Sequence, residues 1–400
     1  MEAESSQRGE GLSRRLTLLF AVSAAVAVAN LYYVQPLLIM IGHTVNATVK
    51  HMGLIAMLTQ AGYALGLLLI VPLADVWPRK PLMIGLCVLT AFALIGAALS
   101  RAMLPLALFS FFIGVLTVVP QLIIPLVADL AIPERRGQAI GTVMSGLLTG
   151  LLLARSVSGG IGALFGWQAV YLMAAVLMIG LALLFVFALP ATIPRQTVSL
   201  LDLARSYASV IRSHAVLRRA SLIGAMMFGA FSSLWTVLAY RLNAWPYHFG
   251  SAVVGLFGLV GTAGVLAAPI TGRVADKKGA GFMVGVGILC TLVAYFGLLT
   301  TSASLPLLIL FILLMDYGTQ AAQVANQARI YALDPDARNR INSVYMVTYF
   351  IGGALGSALG SFFYSQFEWQ GAMGVSIAMV VFALIVHYTL RSRPQKRLNR

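Results

Sequence analysis
Leu73-Ala74-Asp75-Val76-Trp77-Pro78-Arg79-Lys80 and Gly272-Arg273-Val274-Ala275-Asp276-Lys277-Lys278-Gly279 are the two stretches whose reading decides the fold. Each is a short basic loop carrying one aspartate, and each lies between two long apolar runs. Asp75 and Asp276 stand 201 residues apart in a chain of 400. The same device at half the chain length points to two fused, similar bundles.

The repeat extends beyond the loops. Leu104-Pro105-Leu106 and Leu305-Pro306-Leu307 are again 201 apart, and Pro133 and Pro335 are 202 apart. Trp167-Gln168 and Trp369-Gln370 repeat at 202 as well. Several independent matches at a nearly constant offset are hard to produce by chance.

The chain is 60% hydrophobic and 10% charged. A soluble domain carries about 25% charged residues. The shortfall excludes a soluble enzyme, whose surface could not be covered with polar groups. Twelve apolar runs of roughly 20 residues can each cross a bilayer as a helix at 1.5 Å per residue. They fall near 16–41, 52–74, 82–100, 104–128, 138–164, 167–189, 220–241, 251–272, 282–300, 305–328, 342–364 and 371–390. They do not alternate with period two, which argues against strands. A helix satisfies its own backbone, as lipid demands.

The net charge of +15 invites a nucleic-acid reading, but position argues otherwise. With both termini in the cytoplasm, inner segments hold 23 of the 27 Lys and Arg residues; Lys50, Arg101 and Arg241 lie outside and Arg155 lies within a run. That is the positive-inside asymmetry. The basic residues form no continuous stripe for nucleic acid. Cys87 and Cys290 fall inside predicted helices, and no metal spacing exists. The first apolar run is longer than a cleaved signal and reads as a retained span.

These boundaries predict a cytoplasmic tail at 1–15, a six-helix bundle at 16–189, a linker at 190–219, a second six-helix bundle at 220–390 and a basic tail at 391–400. In the linker, Leu200, Leu203, Tyr207, Val210 and Ile211 recur at helical spacing. An amphipathic helix on the inner leaflet follows, with arginines toward anionic headgroups.

The aspartate loops resemble the signature between helices two and three of the major facilitator superfamily, roughly Gly-x-Leu-Ala-Asp-Arg-x-Gly-Arg-Arg. The second copy matches at Gly272, Val274, Ala275, Asp276, Lys277 and Gly279, with Ala280 and Gly281 in place of the trailing pair. The first keeps Leu73, Ala74, Asp75, Arg79 and Lys80, and departs at Val71, Val76 and Pro78. Asn30-Leu31-Tyr32-Tyr33-Val34-Gln35-Pro36-Leu37-Leu38, with Gln121 and Pro125 in helix four, is similar to a bacterial drug-efflux-like subgroup. In helix five the expected Gly-Pro is replaced by Arg155-Ser156. The resemblance implies an all-α membrane fold of twelve helices in two pseudo-symmetric bundles that rock about a central path. It also implies an inner gate made by Asp75, Arg79, Lys80, Gly272, Asp276 and Lys277.

Of the twelve acidic residues, Asp316 alone sits deep within a run. A charge at that depth costs at least ~2.5–3.5 kcal/mol on insertion scales and normally faces a polar cavity or a partner. Gln320, Gln323 and Gln327 follow at i+4, i+7 and i+11 on the same helical face. This stripe either lines a wet path or bonds to a neighbouring helix. Asp316 reads as a proton-coupling site or as a static partner. Arg155 reads as a partner of Asp316, a ligand for an anionic solute, or a bundle stabiliser. Asn30, Tyr33, Gln35, Gln60, Tyr63 and Gln121 are further cavity candidates, and Phe228, Ser232 and Trp235 share one face of helix seven. Gly352, Gly356 and Gly360, like Gly146 and Gly150, have the small-xxx-small spacing of packing surfaces.

No P-loop, nucleophile elbow or zinc-protease signature is present. The expectation is a non-enzymatic, monomeric secondary transporter of the bacterial inner membrane. It needs no cofactor, and its partners are a small organic solute, protons and lipid. It uses Asp316 for proton-coupled efflux. A uniporter or importer on the same fold, with Asp316 and Arg155 structural, is the nearest alternative. A non-transporting membrane sensor is another.

Overall fold
The computed structural model describes residues 13–74, 76–132, 135–189, 200–261, 271–275, 277–300, 303–334 and 337–389. These residues are helical nearly throughout, with turns between. The first predicted run is broken. Helix α1 (Arg14–Ala29) ends at Asn30, a 3-10 turn follows at Gln35–Leu37, and α2 (Leu38–Thr44) resumes the path. Pro36 lacks the N–H that a continuous helix would direct at the Tyr32 carbonyl. Tighter bonds replace the lost ones: Tyr32 N to Ala29 O at 3.0 Å, Gln35 N to Tyr32 O at 3.3 Å and Leu37 N to Val34 O at 3.0 Å.

Then come α3 (Val49–Leu73), α4 (Arg79–Leu99), α5 (Met103–Leu116) and α6 (Val119–Leu130). The fourth predicted run is thus split at Thr117–Val118, just before Pro120, for the same reason. α7 (Arg136–Phe165) and α8 (Trp167–Ala188) follow. α9 (Leu200–Ser213) is the amphipathic helix expected in the linker. α10 (Ala215–Asn243), α11 (Ser251–Val260), α12 (Ala280–Thr300), α13 (Leu305–Tyr331) and α14 (Arg338–Thr389) complete the described helices. α14 is interrupted at Phe367 and at Glu368, whose φ is +51°, so it holds the last two predicted runs. Among the described residues nine helices, counting α5 and α6 as one, are long and apolar enough to cross a membrane. With the broken first run, the shorter α11 and the division of α14, this is consistent with twelve spans. The chain is an all-α integral membrane protein.

Contacts gather the chain into two units. The first joins the residues up to Val198 with Ala239–Leu259; the second joins Ser199–Leu238 with the residues from Val260 onward. In the first, α1 packs on α7, α3 on α5 and α4 on α8. In the second, α12 packs on α13, and α14 on both α12 and α9.

The duplication is legible in the contacts of each unit. A Cβ at Gly96 would strike the Phe109 ring, and one at Gly297 would strike the Phe311 ring. Gly146 and Gly150 press on the backbone of Ala21 and Ala25; Gly352 and Gly356 press on Ala225 and Gly229. Trp167 Nε1 donates to Thr44 Oγ1 at 2.9 Å and Trp369 Nε1 donates to the Leu298 carbonyl at 2.8 Å. Each buried indole thus fastens a helix start to the end of a neighbouring helix.

Candidate functional site
Two polar clusters lie buried among the apolar helices, one in each unit. In the first, Arg155 on α7 is 2% exposed. Its Nε donates to Gln35 Oε1 at 2.5 Å, and its guanidinium lies 5.1 Å from the centroid of the Tyr32 ring. Tyr32 and Gln35 flank the break in the first run, and both reach Arg155 on α7. Beside them, Gln121 Nε2 on α6 donates to the Tyr63 hydroxyl on α3 at 3.3 Å. Tyr32 is an electrostatic neighbour of that phenol. Asn30, Tyr33 and Gln60 are buried in the same unit. Ser156 donates to the Gly255 carbonyl at 3.0 Å, and Ser251 to the Gly159 carbonyl at 3.3 Å, seating α11 against α7. Glycine is needed at 255 and 258, since a Cβ there would meet Arg155 itself.

A charge-assisted hydrogen bond and a cation–π contact hold the guanidinium in one orientation. Lysine has neither the fork nor the planar face for both. Arg155→Lys is therefore expected to lower stability by about 1.5–3 kcal/mol, read as an earlier thermal unfolding midpoint in detergent. An unchanged midpoint would contradict the pairing.

In the second unit, Asp316 is the twelfth residue of α13 and is 3% exposed. The Tyr295 phenol of α12 is its electrostatic neighbour, and Ser376 of α14 adjoins that phenol. Along the stripe, Gln320 is half-buried. Gln323 Oε1 accepts from the Tyr349 hydroxyl at 3.0 Å, and Gln327 Nε2 lies 4.0 Å from Met346 Sδ. Both amides therefore face α14, the neighbouring-helix arrangement left open by the sequence. Tyr349 in turn stacks on Phe228 at 4.1 Å between centroids and 15° between planes. Phe350 meets Phe228 edge-on at 5.2 Å, Phe231 stacks on it at 5.6 Å, and Trp235 lies 6.0 Å from Phe231. The result is a wall of aromatic rings with polar groups at its margin.

The loop residues are tied within their own unit. Arg79 Nη1 is ion-paired with Asp129 Oδ2 at 2.9 Å, and its Nε reaches the Ala74 carbonyl at 3.4 Å. Lys80 Nζ donates to the Leu189 carbonyl at 2.7 Å, capping the end of α8, where a cation is favoured. Lys277 is exposed, and Gly272 has open space where a Cβ would stand. Asp75 and Asp276 lie outside the described residues. The side chains of Arg79 and Asp129 are 10% and 25% exposed. Asp129→Asn should therefore cost about 1–2 kcal/mol, between the surface and buried cases. Adding Arg79→Ala should cost little more. Strict additivity in thermal unfolding would show that the two do not act as a pair.

Sequence reasoning missed Asp129, which sits just past the fourth apolar run, 50 residues from Arg79. It also missed Tyr32, Tyr295, Tyr349 and Phe231 as members of the clusters. Tyr32 adjoined the candidates at 30, 33 and 35; the other aromatics carried no signal that separated them from ordinary packing.

The sequence matches the major facilitator superfamily over residues 20–318 and 220–400. The chain belongs to that superfamily. It is 38% identical to the uncharacterized transporter YgaY of Escherichia coli O157:H7, over 94% of each chain. It is 35% identical to a probable transporter of Streptomyces coelicolor, over 94% of this chain and 88% of that one. Its fold is similar to the crystal structure of a bacterial homologue of the human lysosomal transporter Spinster, with a TM-score of 0.74 at 16% identity, over 94% of this chain and 96% of that one. A superfamily member with these relatives is a membrane transporter.

Proposed function
We propose that this transporter is a proton-coupled secondary carrier that exports a small organic solute from the bacterial cytoplasm, with both termini on the cytoplasmic side. The observation that carries this reading is Asp316. A carboxyl group at that depth has a role only if it exchanges a proton or holds a partner. The Tyr295 phenol of the neighbouring helix lies close to it. A phenol can hydrogen-bond to either protonation state of a carboxyl, so the site tolerates both.

The solute contacts fall to the aromatic wall of Phe228, Trp235 and Tyr349 in the second unit and to the Asn30–Gln35 segment with Gln60, Gln121 and Arg155 in the first. Aromatic rings of this kind favour a flat or cationic solute. The likeness of Asn30–Leu38 to efflux-type members supports the outward direction, and the positive-inside distribution supports the orientation. The test is solute-dependent pH change in proteoliposomes over a panel of lipophilic cations, sugars and amino acids. A solute that moves protons in the opposite sense supports antiport. Transport with no proton movement favours the uniporter reading and overturns the coupling.

A further inference from the structure
Three buried polar atoms, each on a different helix, come to one level of the second unit. Ser221 on α10, Asn326 on α13 and Tyr345 on α14 are 4%, 0% and 0% exposed. Ser221 Oγ, Asn326 Nδ2 and the Tyr345 hydroxyl make no hydrogen bond to another protein group. α10 and α14 run in parallel, since Gly352 and Gly356 press on Ala225 and Gly229 at one offset. α13 runs against α14 and ends where α14 begins. Counted from the helix ends nearest them, the three residues lie roughly 8–11 Å in, at 1.5 Å per residue.

Side-chain contacts place them together. The Tyr349 hydroxyl donates to Gln323, Gln327 lies against Met346, and the Tyr331 hydroxyl donates to Asn342. These pairs set the register of α13 on α14, and Asn326 and Tyr345 fall inside it. The Asn326 amide adjoins the Tyr345 phenol there, without hydrogen-bonding geometry between them. The phenol also reaches α10: a Cβ at Gly224 would lie 2.8 Å from the Tyr345 hydroxyl. Ser221 stands three positions before Gly224, on the same face of α10. Its small side chain and the bare Gly224 keep the surface of α10 low beside the ring. Asn326 Oδ1 is already used, accepting from Arg329 Nη1 at 3.3 Å.

Leaving a donor or a hydroxyl unbonded in the apolar interior is costly, and it is more so within a membrane. Three such atoms from three helices match what one water molecule needs, namely two to four polar partners. An amide nitrogen can only donate, whereas hydroxyl oxygens also accept. We propose that Ser221, Asn326 and Tyr345 form a binding site for a single ordered water. The water accepts from Asn326 Nδ2 and donates to the oxygens of Ser221 and Tyr345, joining α10, α13 and α14 where no direct bond does so. The inference does not depend on proton coupling or on the identity of the solute.

The test is X-ray hydroxyl-radical footprinting of the full-length chain in nanodiscs, read residue by residue in mass spectrometry. Radicals formed from a bound water modify the side chains touching it, however buried they are. Tyr345 should be modified several-fold faster than Tyr171, which is 4% exposed in the first unit. Ser221→Ala and Asn326→Leu should each slow modification of Tyr345 and leave Tyr171 unchanged. Ser221→Ala also gives a reading by sign. In a dry site it deletes a hydroxyl that bonds nothing, and the thermal unfolding midpoint stays or rises. In a hydrated site it deletes a ligand of the water, and the midpoint falls. Modification of Tyr345 as slow as that of Tyr171 would overturn the proposal. So would an unchanged or higher midpoint in Ser221→Ala. If Asn326→Leu fails to fold, the parent and Ser221→Ala decide the matter between them.

Discussion

Asp316→Asn is expected to reduce solute-driven proton movement in proteoliposomes to the level of liposomes without protein. The substitution keeps the size of the side chain and its capacity to hydrogen-bond with the neighbouring Tyr295. It removes the ionisable carboxyl, and with it the exchangeable proton and the negative charge. Burial at 3% exposure leaves little bulk water to substitute for it. Exchange of labelled solute across the membrane without net proton movement should persist, since the aromatic wall is untouched. Asp316→Glu should keep part of the coupling. Unchanged proton movement in Asp316→Asn would remove Asp316 from the mechanism and leave it a structural residue. Loss of both proton movement and solute exchange, with the protein folded, would place it in solute binding instead.

The second large effect is expected at Gly356. A Cβ there would be driven into the backbone carbonyl of Gly229; Gly352 presses on the Ala225 carbonyl in the same way, and Gly360 on the side chain and Cα of Ser233. α10 and α14 are therefore in backbone contact along three successive small residues. A side chain cannot rotate away from a backbone clash, so the helices must separate along their length. Gly356→Val should cost about 3 kcal/mol or more, the upper end of overpacking, and should leave little folded protein in detergent extracts. Gly374, also in α14, has nothing within reach of a Cβ. Gly374→Ala should be neutral or gain up to about 1 kcal/mol through lower chain entropy and better helix propensity. Equal yields and midpoints for the two variants would contradict the close approach.

Much of this architecture could be read directly from the residues. The Trp167/Trp369 and small-residue pairs are local patterns, and each recurs as a contact of the same kind in its own unit; the Gly96/Gly297 pair emerged only in the structure. Apolar length likewise located the spans, because lipid tolerates only self-satisfied backbone. The interruptions were less legible. The runs at 16–41 and 104–128 read as continuous spans in the sequence, and the structure breaks both near Pro36 and Pro120.

The clusters were legible only as unassigned parts. Spacing put Asp316, Gln320, Gln323 and Gln327 on one face, yet a face can point at water or at a helix. Gln323 was found on Tyr349 of α14. Arg79 was recognised as a loop cation, but its partner Asp129 is 50 residues away and no periodicity links them.

What the sequence determined by itself is what depends on neighbours along the chain: which segments enter lipid, and that one half repeats the other. Hydrophobic length and residue spacing are properties of the chain and need no folded partner. Only the tertiary structure decided that Arg155 rests on Tyr32 and Gln35, that Arg79 pairs with Asp129, and that Gln323 meets Tyr349. The reason is physical: a buried polar group takes its meaning from whichever helix packs against it. That choice is made by shape complementarity over many side chains at once.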